Sequence, residues 1–584
     1  MRLSILFLLI FNTTAINAQL YISSSEKSDG YIYVKDRLIF VENNIELARN
    51  SSEKTKASLY LRKGAQLLQG EKAENLNKGI GALSIYQRGT SNAFDYNYWS
   101  LPVKVEAGKT LLNEYLYEPL SNLHSNSIQL ISGLEGVSNP LSISNRWIYT
   151  FSGTSYSNWQ YVGNHFDLLP GEGFSMKGVN GKNLQEVEGE IINSGNAQLY
   201  DFRGIPNDGK IQLPINKEQV LLVGNPYPSA LDLNKFLFEN TFTTGIAYFW
   251  DSRNDGNSHY LSDYEGGYGT YSPGAGIYLP AIFKKYIGNT TTGESGKIYP
   301  RKNMPVTQGF MVRGSMDGEI TFENSQRIYQ KEAEGISFFK NSEPVNSSVI
   351  LNIEFDSTFV RQLALSLHEN STVNEDHAKD ARMIDVFKND VSWLISEKAF
   401  LINVRPRRDE ELIPFLITLD KDTSLKFSVE EFTNFNPDRL FIYDAQDDLY
   451  FGIKAGSLNI KLSAGEYRDR FFLSFIEKLP VEETKDVPLT QDITDNKPPV
   501  ILLNTLDIFQ NNSLGQLEVK ILHNTSLHNL KLYDLNGKLF MNQDFRANEK
   551  DFIFSTGNLS NAVYIVKVKT NDNRELTKKI GVKN

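Results

Sequence analysis

Tyr31-Ile32-Tyr33-Val34-Lys35-Asp36-Arg37-Leu38-Ile39-Phe40-Val41 holds two short apolar runs split by three charged residues. Runs this short, rich in Tyr, Ile, Val and Phe, fit strands and are too brief for core helices. The pattern continues outward. Leu59-Tyr60-Leu61, Leu67-Leu68 and Leu83-Ser84-Ile85-Tyr86 follow, punctuated by Gly64, Gly70, Gly79, Gly81 and Gly89. Short strands with closely spaced turns indicate sandwich, barrel or β-solenoid architecture. Composition leans the same way, with 35 Phe and 28 Tyr against 7 Met and 5 Trp in 584 residues. The length predicts several domains. The expected fold class is all-β: multidomain β-sandwich or β-solenoid-like modules, then a small C-terminal Ig-like sandwich.

The chain divides readily on paper. Residues 1–18 read as a signal peptide, with Arg2, the apolar run Leu3 to Phe11, and a cleavage site near Ala18. Nine apolar residues are too few to span a bilayer, which needs about 20. A β-rich segment covers 19–95. Residues 96–210 and 211–335 form two β-rich repeat units. The first holds Tyr98-Trp99-Ser100-Leu101-Pro102-Val103, Trp147-Ile148-Tyr149-Thr150-Phe151 and Gly171-Glu172-Gly173-Phe174-Ser175-Met176-Lys177-Gly178. The second holds Val223-Gly224-Asn225-Pro226-Tyr227-Pro228-Ser229, Ile246-Ala247-Tyr248-Phe249-Trp250 and Thr307-Gln308-Gly309-Phe310-Met311-Val312-Arg313-Gly314 in the same order. A period this long means duplicated domains or half-domains. Leu231 to Phe238 is a short candidate helix that Ser229 is placed to cap. Residues 336–476 read as a sandwich of about eight strands. The stretch 477–503, with Pro480, Pro488, Pro498 and Pro499 among charges, reads as a tether. Residues 504–584 close the chain as a compact antiparallel module, with Asn536-Gly537 marking a type I′ hairpin.

That last module resembles the type A C-terminal sorting domain of the Bacteroidota type IX secretion system. The resemblance rests on Leu532-Tyr533-Asp534-Leu535-Asn536-Gly537-Lys538, on Leu559-Ser560-Asn561-Ala562-Val563-Tyr564-Ile565-Val566-Lys567-Val568, and on Thr577-Lys578-Lys579-Ile580. Ala562 stands where that family has Gly, and Phe509-Gln510-Asn511-Asn512 stands where it has Pro-Asn-Pro. The resemblance implies sorting residues Tyr533, Asp534, Gly537, Tyr564, Lys578 and Lys579. It also implies the outer-membrane translocon and its sorting machinery as partners, with surface lipopolysaccharide or polysaccharide as an attachment point. The remainder is similar to large secreted flavobacterial-type β proteins of unknown function. Tyr96 to Val103, Val223 to Ser229 and Gln308 to Val312 carry that likeness. The implied destination is the cell surface or the medium.

Charge and chemistry exclude much. A net charge of -10 argues against nucleic acid as partner, since phosphate binding needs a positive surface. The absence of Cys removes disulfides, thiolate metal sites and thiol nucleophiles. No stretch reaches membrane-spanning length. H-E-x-x-H, G-x-S-x-G and P-loop motifs are absent, and the 7 His are scattered. No catalytic residue is assigned and no cofactor is required. Calcium is the one ion suggested, by Asp251 and Asp255 in Asp251-Ser252-Arg253-Asn254-Asp255-Gly256, and by Glu369, Glu375, Asp376 and Asp380. Arg253, where such a loop needs a ligand, argues against the first.

Aromatic rings remain as the candidate binding surface. Trp147, Trp159, Tyr161, Trp250, Tyr264 and Tyr268 lie in the repeat region. Trp250, Tyr264 and Tyr268 are taken as ligand-binding, because exposed rings stack on sugar faces. The same rings also suit a packed core. Three functions stay open: an adhesin-like or glycan-binding surface protein, a secreted hydrolase using acidic residues, and a structural surface-layer component.

Overall fold

The computed structural model describes residues 19–50, 56–181, 183–187, 189–253, 255–285, 290–298, 302–331, 346–434, 439–453, 456–477, 506–511, 514–521, 526–534, 538–545, 551–571 and 575–583. The stretch read as a signal peptide with its cleavage site, all but the first residue of the stretch 477–503 read as a tether, and the Asn536-Gly537 turn lie outside them. The fold is all-β, and the described residues contain a single α-helix, Leu233–Glu239. Its cap is Asp232, not Ser229. The Asp232 carboxylate accepts the Lys235 N–H at 3.0 Å. Among the described residues no helix is long and apolar enough to cross a membrane. Two compact units divide the chain, residues 1–480 and 481–584.

The first unit begins as a parallel β-solenoid. Leu20–Ile22, Ile45–Leu47 and Lys78–Gly79 stack in parallel on one face. Ile32–Lys35, Leu59–Arg62 and Leu83–Arg88 stack on a second. Leu38–Val41 and Gln66–Gln69 stack on a third. The short apolar runs therefore each supply one side of a coil, and Ile45, Leu47, Leu59, Leu61 and Leu67 point inward, fully buried. Buried corner amides hold the coils. Asn77 accepts the Ile45 N–H at 2.8 Å and donates to Gln69 at 2.8 Å and to the Pro206 carbonyl at 3.0 Å. The last coil then changes partner. Leu83–Arg88 pairs antiparallel with Leu199–Gly204, which pairs with Leu116–Pro119.

The two repeat units do not form two separate sheets. Their strands join one 11-stranded sheet in the order Thr243–Ser252, Gly309–Gly314, Val220–Gly224, Tyr149–Gly153, Phe174–Lys177, Tyr96–Trp99, extended beyond Thr243–Ser252 by further strands. An isolated bridge from Trp99 to Gln308 brings the far edge back, so the sheet nearly closes. Each repeat contributes a trio with its Gly-Phe strand in the middle. The registers match as well. Ser175 faces Tyr98 and Tyr149, and Met311 faces Leu222 and Tyr248. Lys177 facing Tyr96 corresponds to Arg313 facing Val220.

A buried arginine of the second repeat ties it to the first repeat and to the solenoid. Arg327 meets Asp208 at 3.1 Å with neither side chain exposed, and also donates to Ser229 and to the Leu67 carbonyl. The described residues of the block from 346 to 477 form twelve strands rather than about eight. Its core around Trp393, Phe400, Phe415 and Phe427 is continuous with Leu222, Tyr248 and Met311 of the second repeat.

The second unit is a sandwich of two antiparallel sheets. One holds Leu506–Asn511, Gln516–Ile521 and Asp551–Ser555, and the other holds Leu539–Asp544, Leu527–Asp534, Ala562–Thr570 and Glu575–Val582. Leu517, Val519, Leu530, Leu532, Val566 and Val568 fill the space between.

Candidate functional site

Strand alternation puts residues two apart on the same face. Tyr96 and Tyr98 thus share a face with Ser175, Lys177 and Tyr149 of the first trio, and that face is the wall of a cavity of about 390 Å³. Trp159 and Trp250 reach it from neighbouring strands, and Trp147, Tyr156, His259 and Tyr264 from the loops and short turns above. The rings are arranged in contact. Tyr98 stacks on Trp250 with centroids 6.3 Å apart and leans on Trp159 at 5.8 Å. Tyr96 lies 5.5 Å from Tyr264, and Trp147 is parallel to His259 at 5.3 Å. The Trp147 indole N–H is spent on the Leu134 carbonyl at 2.7 Å, which fixes the ring in its plane.

Lys177 is the unusual member. Its side chain is 3% exposed, and its Nζ lies 4.1 Å from the Trp147 centroid, 4.9 Å from Tyr264 and 5.0 Å from Tyr96. The amine sits 3.1 Å from His259 Nδ1, and His259 Nε2 sits 3.3 Å from a Glu135 carboxylate oxygen. With a neutral imidazole, Nδ1 accepts from Lys177 and Nε2–H donates to Glu135. Burial lowers the Lys177 amine to about 7, against the pull of Asp95 and Glu135. Burial raises the Asp95 carboxyl to about 7, with Asp251 and Asp255 adding and Lys177 opposing. His259 is lowered by burial and then by Lys177, with Glu135 opposing.

The duplication explains why this face is notable. In the second trio the matching face is covered by the chain's own 346–477 block. Tyr248, the counterpart of Tyr149, donates to the Arg382 carbonyl at 3.1 Å, and Arg313, the counterpart of Lys177, donates to the Met383 carbonyl at 3.3 Å. Val220, Leu222 and Met311 are buried beneath the same cover. In the first trio, that position is the aromatic cavity.

Of the residues singled out from sequence, Trp250 and Tyr264 line the cavity. Tyr264 is anchored by its hydroxyl to the Phe94 carbonyl. Tyr268 lies behind the wall, hydrogen-bonded to Tyr98 at 2.8 Å and packed on Trp250 at 5.4 Å. It supports the site but does not line it. Lys177, His259, Glu135, Tyr96, Tyr98 and Tyr149 were not singled out as site residues. The one trace in sequence was the basic residue repeated in the two Gly-Phe strands. His259 looked like an isolated loop residue, because its partners lie far away in the chain.

The acidic loops are differently arranged from a calcium site. Arg253 holds Asp255 through two hydrogen bonds of 2.9 and 2.8 Å and Glu265 at 2.9 Å. Asp251 accepts the Ser252 and Lys297 backbone N–H groups. Glu375 is taken by Arg382, and Asp376 by Thr372. Among the described residues no group of three or more His, Asp or Glu is placed to hold a metal ion.

In the second unit, Asp534 and Lys538 pair through their backbones at 3.0 Å, closing the hairpin whose Gly537 lies outside the described residues. Tyr564 is buried, donates to the Ser560 carbonyl at 3.1 Å and packs edge-on against Phe540. Tyr533 sits under the Lys567 amine. Lys578 donates to the Ile508 carbonyl at 2.5 Å, linking the last strand to the first of this unit. Lys579 lies on the last strand, and its side chain is outside the described residues.

Residues 13–475 match the family described as Domain of unknown function (DUF8693). The chain belongs to that family. Residues 495–582 match a second, Domain of unknown function (DUF8694). No curated protein compared with the chain matches it.

Proposed function

We propose that this DUF8693 protein is an exported, non-catalytic, adhesin-like surface protein that binds a glycan in the aromatic cavity of its first strand trio. The carrying observation is the contrast between the two trios. A face that is packed in one copy is open in the other, and the open copy is lined by three Trp and several Tyr rings. Such rings offer flat apolar platforms with polar edges, the surface that sugar rings stack on. The C–H faces of a pyranose would lie on Trp147, Trp159 or Trp250, with Ser157, Ser175 and His259 within the lining for hydroxyls.

Export rests on the N-terminal signal pattern, and outer-membrane passage on the resemblance of residues 504–584 to a sorting domain. Tyr564 and Lys578 have structural duties in that sandwich, consistent with a module recognised once folded.

A glycan array probed with the purified protein tests the reading. Binding is expected, and Trp147→Ala should weaken it roughly 30-fold while the protein still unfolds cooperatively. An array with no signal at micromolar protein would overturn it.

A further inference from the structure

We propose that Lys177 is a nucleophilic amine, served by His259 and Glu135, that captures an aldehyde ligand in the aromatic cavity as an imine. This goes beyond glycan stacking and requires only that a carbonyl compound can enter the cavity.

The geometry is that of a nucleophile, a base and an orienting carboxylate. Lys177 Nζ, His259 and Glu135 form a line with 3.1 and 3.3 Å contacts. This is the arrangement that activates weak nucleophiles elsewhere, with an amine at the head. Trp147 and Phe94 pack on the imidazole and hold its plane. Glu135 is itself held by the Asn180 side-chain amide. No carboxylate hydrogen-bonds to Lys177 among the described residues, so its charge has three rings and an imidazole for company. A compact ammonium loses its proton readily when buried this way, and buried lysines of this kind form Schiff bases. The lowered Lys177 value, about 7, agrees with the geometry.

The reaction balances without oxidant or reductant. His259 Nδ1 takes a proton from the ammonium, and Glu135 stabilises the resulting imidazolium. The amine lone pair attacks the carbonyl carbon, and one proton passes from the attacking nitrogen to the carbonyl oxygen to give a neutral carbinolamine. That hydroxyl leaves as water with a proton from His259, and a C=N bond forms. One aldehyde and one amine give one imine and one water.

The groups facing Lys177 are His259 and Tyr264 from the loop, Tyr96 from the neighbouring strand, Trp147 from its turn, and the charges of Asp95 and Glu135. Asp95 and Glu135 oppose deprotonation through their charge, and the faces of Trp147, Tyr264 and Tyr96 also favour the ammonium, so burial and the His259 acceptor must outweigh both.

The test is competitive labelling of the full-length protein. Glycolaldehyde and cyanoborohydride are applied at limiting dose, and each lysine is quantified by peptide mass spectrometry. At pH 7, Lys177 should be alkylated at least tenfold faster than the median lysine, with an inflection near pH 7. His259→Gln should slow Lys177 at least threefold and leave the other lysines unchanged. Labelling of Lys177 at or below the median rate at pH 7 would overturn the proposal. So would an unchanged rate in His259→Gln, as this removes the relay. The wild-type rate and pH profile test the proposal without any variant, and unchanged rates at the other lysines show that His259→Gln is folded. A silent glycan array beside rapid Lys177 labelling would sink the sugar reading and leave this one standing.

Discussion

Tyr149 and Tyr248 occupy the same register position in two copies of one strand trio, and only Tyr248 is sealed. Tyr248 is fully buried and donates to the Arg382 carbonyl at 3.1 Å, whereas Tyr149 is half-buried on the cavity wall. Removing the hydroxyl should therefore cost differently. Tyr248→Phe leaves a buried carbonyl short of a donor and should destabilise the first unit by about 1–3 kcal/mol. Tyr149→Phe should stay within about 0.5 kcal/mol. Urea denaturation of both variants decides, and equal effects would mean that the two faces are not distinguished by cover.

Trp147 lines the cavity with its N–H anchored and with His259 and Lys177 packed on its ring. Trp147→Ala should weaken ligand binding by about 2 kcal/mol, roughly 30-fold, as buried aromatic anchors commonly do. Titration calorimetry against the best array ligand checks this. Tyr268→Phe, behind the wall, should change affinity less than threefold.

Asp95 and Lys177 give the first unit an opposed pH response. Folded Asp95 titrates at about 7 against 3.8 ordinarily, so the fold holds a proton that the unfolded chain has lost. Its contribution to stability falls as pH rises from about 4 to 7. Folded Lys177 titrates at about 7 against 10.5, so the unfolded chain holds the extra proton. Its contribution rises from pH 7 to about 10. Each slope is at most about 1.4 kcal/mol per pH unit. Asp95→Asn should flatten the lower limb and Lys177→Met the upper one, read from melting temperature against pH. Parallel curves for wild type and both variants would refute the assignment.

Arg327 of the second repeat and Asp208 of the first are paired in full burial. Arg327→Met leaves the Asp208 carboxylate uncompensated and should cost about 3–5 kcal/mol. Equilibrium unfolding measures it. A loss below about 1 kcal/mol would show that Gln69 and Asn324, which also donate to Asp208, suffice alone.

Deleting residues 504–584 should leave the first unit folded and trap it within the cell envelope. Immunolabelling of intact cells against the periplasmic fraction reads this out. Normal surface labelling of the truncated chain would end the sorting proposal.

Much of the architecture was legible because it is local. Four-residue apolar runs such as Ile32–Lys35 and Leu38–Val41 reported strands, and the repeated Gly-Phe strands reported a duplication whose register the structure reproduces. What sequence left open was pairing. Nothing in those runs says whether a neighbour is parallel, so solenoid and sandwich stayed alternatives until Leu20 was found beside Ile45. The site was half legible for a similar reason. Trp250 and Tyr264 are conspicuous by type, but the Glu135, His259 and Lys177 line is assembled from a loop, a second loop and a strand. Ring orientation, which separates Tyr264 on the wall from Tyr268 behind it, depends on which face a strand presents.

The last solenoid strand on one face, Leu83–Arg88, is parallel to Leu59–Arg62 on one side and antiparallel to Leu199–Gly204 on the other. A stack of parallel coils ordinarily presents its final rung as a template on which a further chain can add. Here the rung is already occupied by a strand running the opposite way, so at this end of the sheet Leu83–Arg88 offers no vacant row of backbone donors and acceptors for a second molecule to extend. The stack has a stop built into it. A second copy is thereby kept from adding end to end through this edge.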